Sequence, residues 1–141
     1  MKTKFSRDIL FVVMEKGESF SEDLLTILSM QEMENVGIVQ TALGMVKNID
    51  LGYGIYENSK VKYEREIIEK PLELLGLSGF IIKGEKLPLH FHVYLGDNDK
   101  RVLGGHLFDC IVVTFIEMSF LLSDMKVERV KKAGLLEMDF R

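Results

Sequence analysis

From residue 36 to residue 122 the apolar residues of this chain recur every two positions, with Gly, Asn, Asp, Ser or Pro between the runs. That period belongs to β-strands, whose successive side chains point to opposite faces. The strand-like segments are 36–46, 49–56, 60–68, 71–82, 88–95 and 106–122, and residues 7–14 (RDILFVVM) read as a buried strand ahead of them. Pro71 and Pro88 each stand just before an apolar run, where a strand can begin without needing that amide. The strong helical signal is GESFSEDLLTILSMQEM, in which Ser19 and Glu22 have capping-box spacing and Phe20, Leu24, Ile27 and Leu28 share one face. This helix is expected over residues 19–34, ending near Asn35–Gly37. One early helix followed by strands predicts an α+β domain on a mostly antiparallel sheet of about six or seven strands. Residues 124–141 read either as a short strand or as an irregular tail.

In VKYEREIIE, Val61, Tyr63, Arg65 and Ile67 alternate with Lys62, Glu64, Glu66 and Ile68, which gives a strand one wet face. CIVVTFI is apolar on both faces, as a central strand covered on both sides would be. A helix with its side chains is roughly 10–12 Å across and strands lie about 4.8 Å apart, so one helix shields two or three strands on one face. The remaining cover is expected from another copy of the chain. The alternative is a sheet curled on itself into a half-barrel that hides its own inner face.

A chain of 141 residues fits one domain, residues 1–141. The run Ile9–Met14 is closed by Glu15 and Lys16, too short for a secretory core and without a small-residue cleavage site. The apolar stretch Ile111–Leu122 is broken by Glu117 and falls short of the about 20 residues that span a bilayer. A lone cysteine, Cys110, cannot form an internal disulfide and reads as inert core. These features predict a soluble, cytoplasmic protein with no membrane association. A net charge of -4 gives no general attraction to nucleic acid. The tail cluster Lys126, Arg129, Lys131 and Lys132, interleaved with Glu128, reads as a solvated face.

All three histidines lie in PLHFHVYLGDNDKRVLGGHLFDC. On a strand, His90 and His92 face the same way, roughly 6.6 Å apart at Cα, close enough to converge on one ion. GDNDK has the composition of a turn, which would bring His106 back beside them. Loop parity decides whether it does. A two-residue loop at Asn98-Asp99 would set His106 opposite Phe91, on the wrong face, whereas an odd loop would pair it with His90 or His92. A one-residue bulge at Gly104-Gly105 would also restore the facing, and a bulge is the preferred reading of that glycine pair. Three neutral imidazoles suit a divalent metal, zinc first among them, and leave a coordination position open for water or a small-molecule ligand. The same residues also fit two surface histidines and a loop histidine. GYG at 52–54 lacks the helix and the Lys-Ser/Thr ending of a phosphate loop.

Three blocks, in order, resemble the plant-and-prokaryote conserved domain (PPC) family over roughly residues 7 to 122. FVVMEKGESFSEDLL is similar to its opening strand, KGE turn and helix. PLELLGLSG is similar to its E-x-L-x-L-x-G segment (Glu73, Leu75, Leu77, Gly79), and HFHVYLGDNDKRVLGGHL to its H-x-H strand, turn and G-G-H-L. Cys110 stands where many members carry glycine and Gly76 where serine is common. The resemblance implies an antiparallel α+β fold assembled as a homotrimer, and a link to DNA through the AT-hook of plant members. This chain has no R-G-R core and no basic arm, so that link is not expected here. The three histidines are also similar to the zinc site of acetolactate decarboxylase, a likeness that carries no activity across.

Three readings of function follow: a metal-binding trimer, a metalloenzyme, and a regulatory scaffold for DNA or a protein partner. The first is preferred. In the second, Glu73, Glu64 and Arg65 are the candidate acid/base groups, and the sequence selects none of them.

Overall fold

The structure, a computed structural model, describes residues 1–132 and 134–140. It is an α+β fold dominated by one antiparallel sheet. In chain order the elements are β1 (Lys2–Ser6), β2 (Ile9–Glu15), α1 (Phe20–Leu28), β3 (Val36–Glu57), β4 (Lys60–Ile68), β5 (Leu72–Ile82), β6 (Leu89–Gly96), β7 (Val102–Ser123), β8 (Val127–Lys132) and β9 (Leu135–Phe140). Seven strands run in the order β1-β2-β7-β6-β5-β3-β4, and β7 also pairs along β3. The strands β3, β7, β6 and β5 therefore close a hydrogen-bonded ring, and the sheet does curl on itself.

The concave side of the ring is the core. Leu10, Val12 and Met14 of β2 meet Leu24 and Ile27 of α1, Val93 and Leu95 of β6, and Ile116 and Phe120 of β7, all essentially inaccessible to water. Phe20 of α1 sets its ring edge-on to Phe91 of β6, with centroids 5.2 Å apart. The opposite face carries exposed apolar side chains. Phe11, Leu43, Phe115 and Leu121 lie on it by register and are 40–50% exposed.

Several boundaries differ from the sequence reading. The helix stops at Leu28, six residues short of the expected end at residue 34. Ser29 donates its hydroxyl and amide to the Thr26 carbonyl, and the Met30 amide turns to Ile27, so the last turn tightens and ends. Met33 is buried from the irregular segment between α1 and β3. Half of the capping box is present: Ser19 Oγ accepts from the Glu22 amide, and Asp109 of β7 accepts from the Ser21 amide at 2.9 Å. Segments 36–46 and 49–56 are one long strand, β3, bent where Asn48 takes φ 48°. In the tail, the short strands Val127–Lys132 and Leu135–Phe140 pair as the hairpin β8–β9; Ala133 and Arg141 lie outside the described residues.

Candidate metal centre

The hairpin β6–β7 carries all three histidines, and its turn sets their facing. Five residues, Asp97–Arg101, separate the last paired positions, Gly96 and Val102. Asp97 organises the turn: its carboxylate accepts from the amides of Asp99 and Arg101, both at 2.9 Å, and its carbonyl accepts from the Lys100 amide. Lys100 absorbs the reversal with φ 63°. The odd loop pairs His92 directly with His106 and keeps His90 on the same face.

No bulge is needed, and none occurs between β6 and β7 at Gly104-Gly105. The bulge expected there lies instead on the β3 side of β7, where Leu51 pairs with Leu107 but Asp50 pairs with Asp109. The glycines serve close approach. A Cβ at Gly104 would sit 2.4 Å from the Val93 carbonyl oxygen, and one at Gly105 would sit 2.6 Å from that of Gly52. Gly52 in turn leaves room for the Phe108 ring, since its Cβ would lie 2.6 Å from that ring's edge.

The three imidazoles form a triangle, with centroids 5.4 Å apart for His90–His92, 5.1 Å for His90–His106 and 5.6 Å for His92–His106. One ligand nitrogen from each lies within 4.8 Å of the others. Nitrogens bound tetrahedrally at about 2.0–2.1 Å stand about 3.4 Å apart, so modest ring rotation closes the set on one ion. His106 is half-buried between Phe108, at 4.5 Å, and Tyr63 of β4, at 5.0 Å. Its Nδ1 is buried and has no hydrogen-bond partner among the described residues. Burial, then the neighbouring His90, His92 and Arg65, lowers the pKa of His106 to about 4. Burial first, then Arg129 and His92, lowers that of His90. Both rings are therefore neutral at pH 7, the form that binds metal. An orphaned buried nitrogen and two neutral rings on one face fit a bound divalent ion.

Of the other residues weighed from sequence, Arg65 reaches the site. Its guanidinium lies 3.7 Å from the Phe108 ring centroid and donates from Nε to Asp50 at 3.0 Å, with a second bond from Nη2. Glu64 pairs with Tyr53 on the other face of β4. Glu73 sits opposite Gly96, four residues along β6 from His92. Cys110 is buried, and burial pushes its thiol pKa up, as inert core requires. The tail cluster is only partly solvated. Lys126, Lys131 and Lys132 are exposed, but Arg129 turns inward, and its Nη2 is buried without a partner among the described residues. Charge interleaving cannot reveal this, because the inward turn depends on where β8 docks. Beside His90 and His92 runs a groove of about 350 Å³ walled by Ile38, Val39, Ser78 and Phe80.

Among the described residues, no helix is long and apolar enough to cross a membrane. The model of the Plants and Prokaryotes Conserved (PCC) domain matches residues 1–121. A plant- and prokaryote-conserved (PPC) protein of Pyrococcus horikoshii superposes with a TM-score of 0.79 at 24% identity, covering 98% of this chain and 94% of that one. The metal-containing protein AF0104 of Archaeoglobus fulgidus gives 0.77 at 24% identity, with 96% and 95% covered. A Bacteroides thetaiotaomicron protein described as a DNA-binding candidate gives 0.82 at 19% identity, with 99% and 96% covered. At these identities the likeness shows a shared fold. No curated protein matches the chain.

Proposed function

The chain belongs to the Plants and Prokaryotes Conserved (PCC) domain family, and on that premise we propose that it is a homotrimeric domain holding one divalent ion, zinc, on His90, His92 and His106. The observation that carries this reading is the convergence of three ligand nitrogens, one from each histidine, within 4.8 Å of one another. A metal-containing relative of the same fold in Archaeoglobus fulgidus supports it. Three protein ligands leave a position open, where a bound metal would polarise a ligand oxygen. Ligand binding is favoured over catalysis because neither Glu64 nor Glu73 joins the histidines as an acid or base.

The trimer rests on the exposed apolar face bearing Phe11, Leu43, Phe115 and Leu121, since contiguous apolar surface of that kind is seldom left to water. The DNA association attached to the Bacteroides relative has little support in this chain, whose 22 acidic residues outnumber 18 basic ones. Titration with cobalt(II), followed by its visible d–d absorption, tests the metal reading. Saturation at one ion per chain, abolished in His92→Ala, is expected; an unchanged titration in that variant would remove the histidines from the site.

A further inference from the structure

The GYG run leaves β3 without side chains at two positions of the histidine face. Gly52 pairs with His106 of β7 on one edge and with Arg65 of β4 on the other, and Gly54 pairs with Tyr63. Rings from both neighbouring strands lie over these glycines. A Cβ at Gly52 would meet the Phe108 ring at 2.6 Å, so that ring occupies the place of a side chain. The Tyr63 ring lies over Gly54, 3.5 Å from where a Cβ would stand. Tyr63 and Phe108 meet edge-on with centroids 5.7 Å apart, and both rings rest against His106.

Asp50, the next alternate position of β3, closes the stack from outside. It accepts both hydrogen bonds of the Arg65 guanidinium, which lies on the face of Phe108. The contacts thus run in series from Asp50 to Arg65, Phe108 and His106. Arg65 is 50% exposed, and an exposed ion pair adds little to the stability of a fold. A planar guanidinium anchored by two bonds does restrict the ring it stacks on. That restriction matters here, because the histidine nitrogens close on an ion by ring rotation. Phe108, with its centroid 4.5 Å away, bounds the rotation of His106.

We propose that Arg65 is a positioning residue of the metal centre. Anchored by Asp50, it holds Phe108 against His106 and so fixes the orientation in which that ring joins His90 and His92 on the ion. This inference rests on the metal reading above, and its sign separates it from plain electrostatics. A cation near a divalent ion repels it, so charge alone predicts tighter metal binding once Arg65 is removed. Loss of the clamp predicts weaker binding.

Cobalt(II) titration of wild type, Arg65→Ala and Arg65→Lys, followed by d–d absorption, decides between them. Both variants should bind cobalt about tenfold more weakly, the low end of what removing the support of a metal ligand costs. Their saturated d–d bands should differ in position and intensity from those of the wild type, while the metal-free proteins unfold in urea at the wild-type midpoint. Arg65→Lys keeps the charge and loses the flat stack, so charge alone would leave its titration unchanged. It also supplies the comparison should the alanine variant not fold. In a Phe108→Leu background, which already lacks the ring, Arg65→Ala should cost nothing further. Cobalt binding that is unchanged or tightened, weakened with wild-type bands, or fully additive with Phe108→Leu would overturn the inference and leave the metal site standing. A wild-type protein that takes up no cobalt would overturn both.

Discussion

His106 owes its ring position to Tyr63 and Phe108 and its backbone position to the opposing His92. An imidazole held this way with Nδ1 unpaired is poorly placed to carry a proton, which gives a pH signature to the metal-free protein. Its folded pKa of about 4, and the lowered pKa of His90, lie below the ordinary value of 6.5. As pH falls below about 6.5 the unfolded chain takes up protons that the folded chain refuses, so stability should decline toward pH 4. Asp23, raised by burial to about 6, works with the opposite sign over much of that window. The histidine part is therefore the difference between wild type and His106→Asn in urea unfolding at pH 7 and pH 5. A smaller decline in the variant is expected, and an identical decline would contradict the burial argument. At the same scale, His92→Ala should weaken metal binding by more than about 100-fold, beyond what losing an outer hydrogen-bond partner of a ligand causes. His90 and His92 could be read from their alternation alone. Tyr63 could not, because it stands on β4, which reaches the site only across β3, a matter of tertiary pairing.

The element that makes the site is the β6–β7 hairpin, and its loop parity was the point the sequence left open. GDNDK marks a turn without fixing its length, since Asp97, Asn98 and Asp99 suit several turn geometries. The observed five-residue loop is one of the odd solutions. Strand β5 supports the hairpin from the other side through Gly79, which pairs with Phe91 at φ 144°. A Cβ there would lie 2.0 Å from the His90 carbonyl oxygen, so Gly79→Ala should force β5 away from β6. A loss of about 3 kcal/mol in chemical denaturation is expected, together with weaker metal uptake as His90 is displaced. Wild-type values for both would contradict the tight β5–β6 approach. Elements at the chain ends were the hardest to foresee. β1 is a short strand, Lys2–Ser6, whose polar residues hide its period, and β8–β9 carries too few buried side chains to signal a hairpin.

At the scale of the molecule, the covering problem posed by strands apolar on both faces has two halves. Closure of the ring β3-β7-β6-β5, with the apolar face of α1 packed into the same core, answers the inner one. Ile111 and Val113 remain half-buried and Phe115 exposed on the outer face. Light scattering at micromolar concentration should therefore give about three times the 16.2 kDa chain mass, and a clean monomer would contradict the covering argument. The same acidic assembly should not retard AT-rich duplex DNA, because non-specific binding draws its affinity from neutralised phosphates. Salt-sensitive retardation by the isolated protein would reverse that expectation. The central claim, that three histidines on one face hold an ion, is tested most directly by elemental analysis of the purified protein against its measured concentration. About one equivalent of zinc per chain, removed at acid pH and restored at neutral pH, is the predicted result. Protein free of metal after purification, and unable to take up zinc at neutral pH, would contradict it.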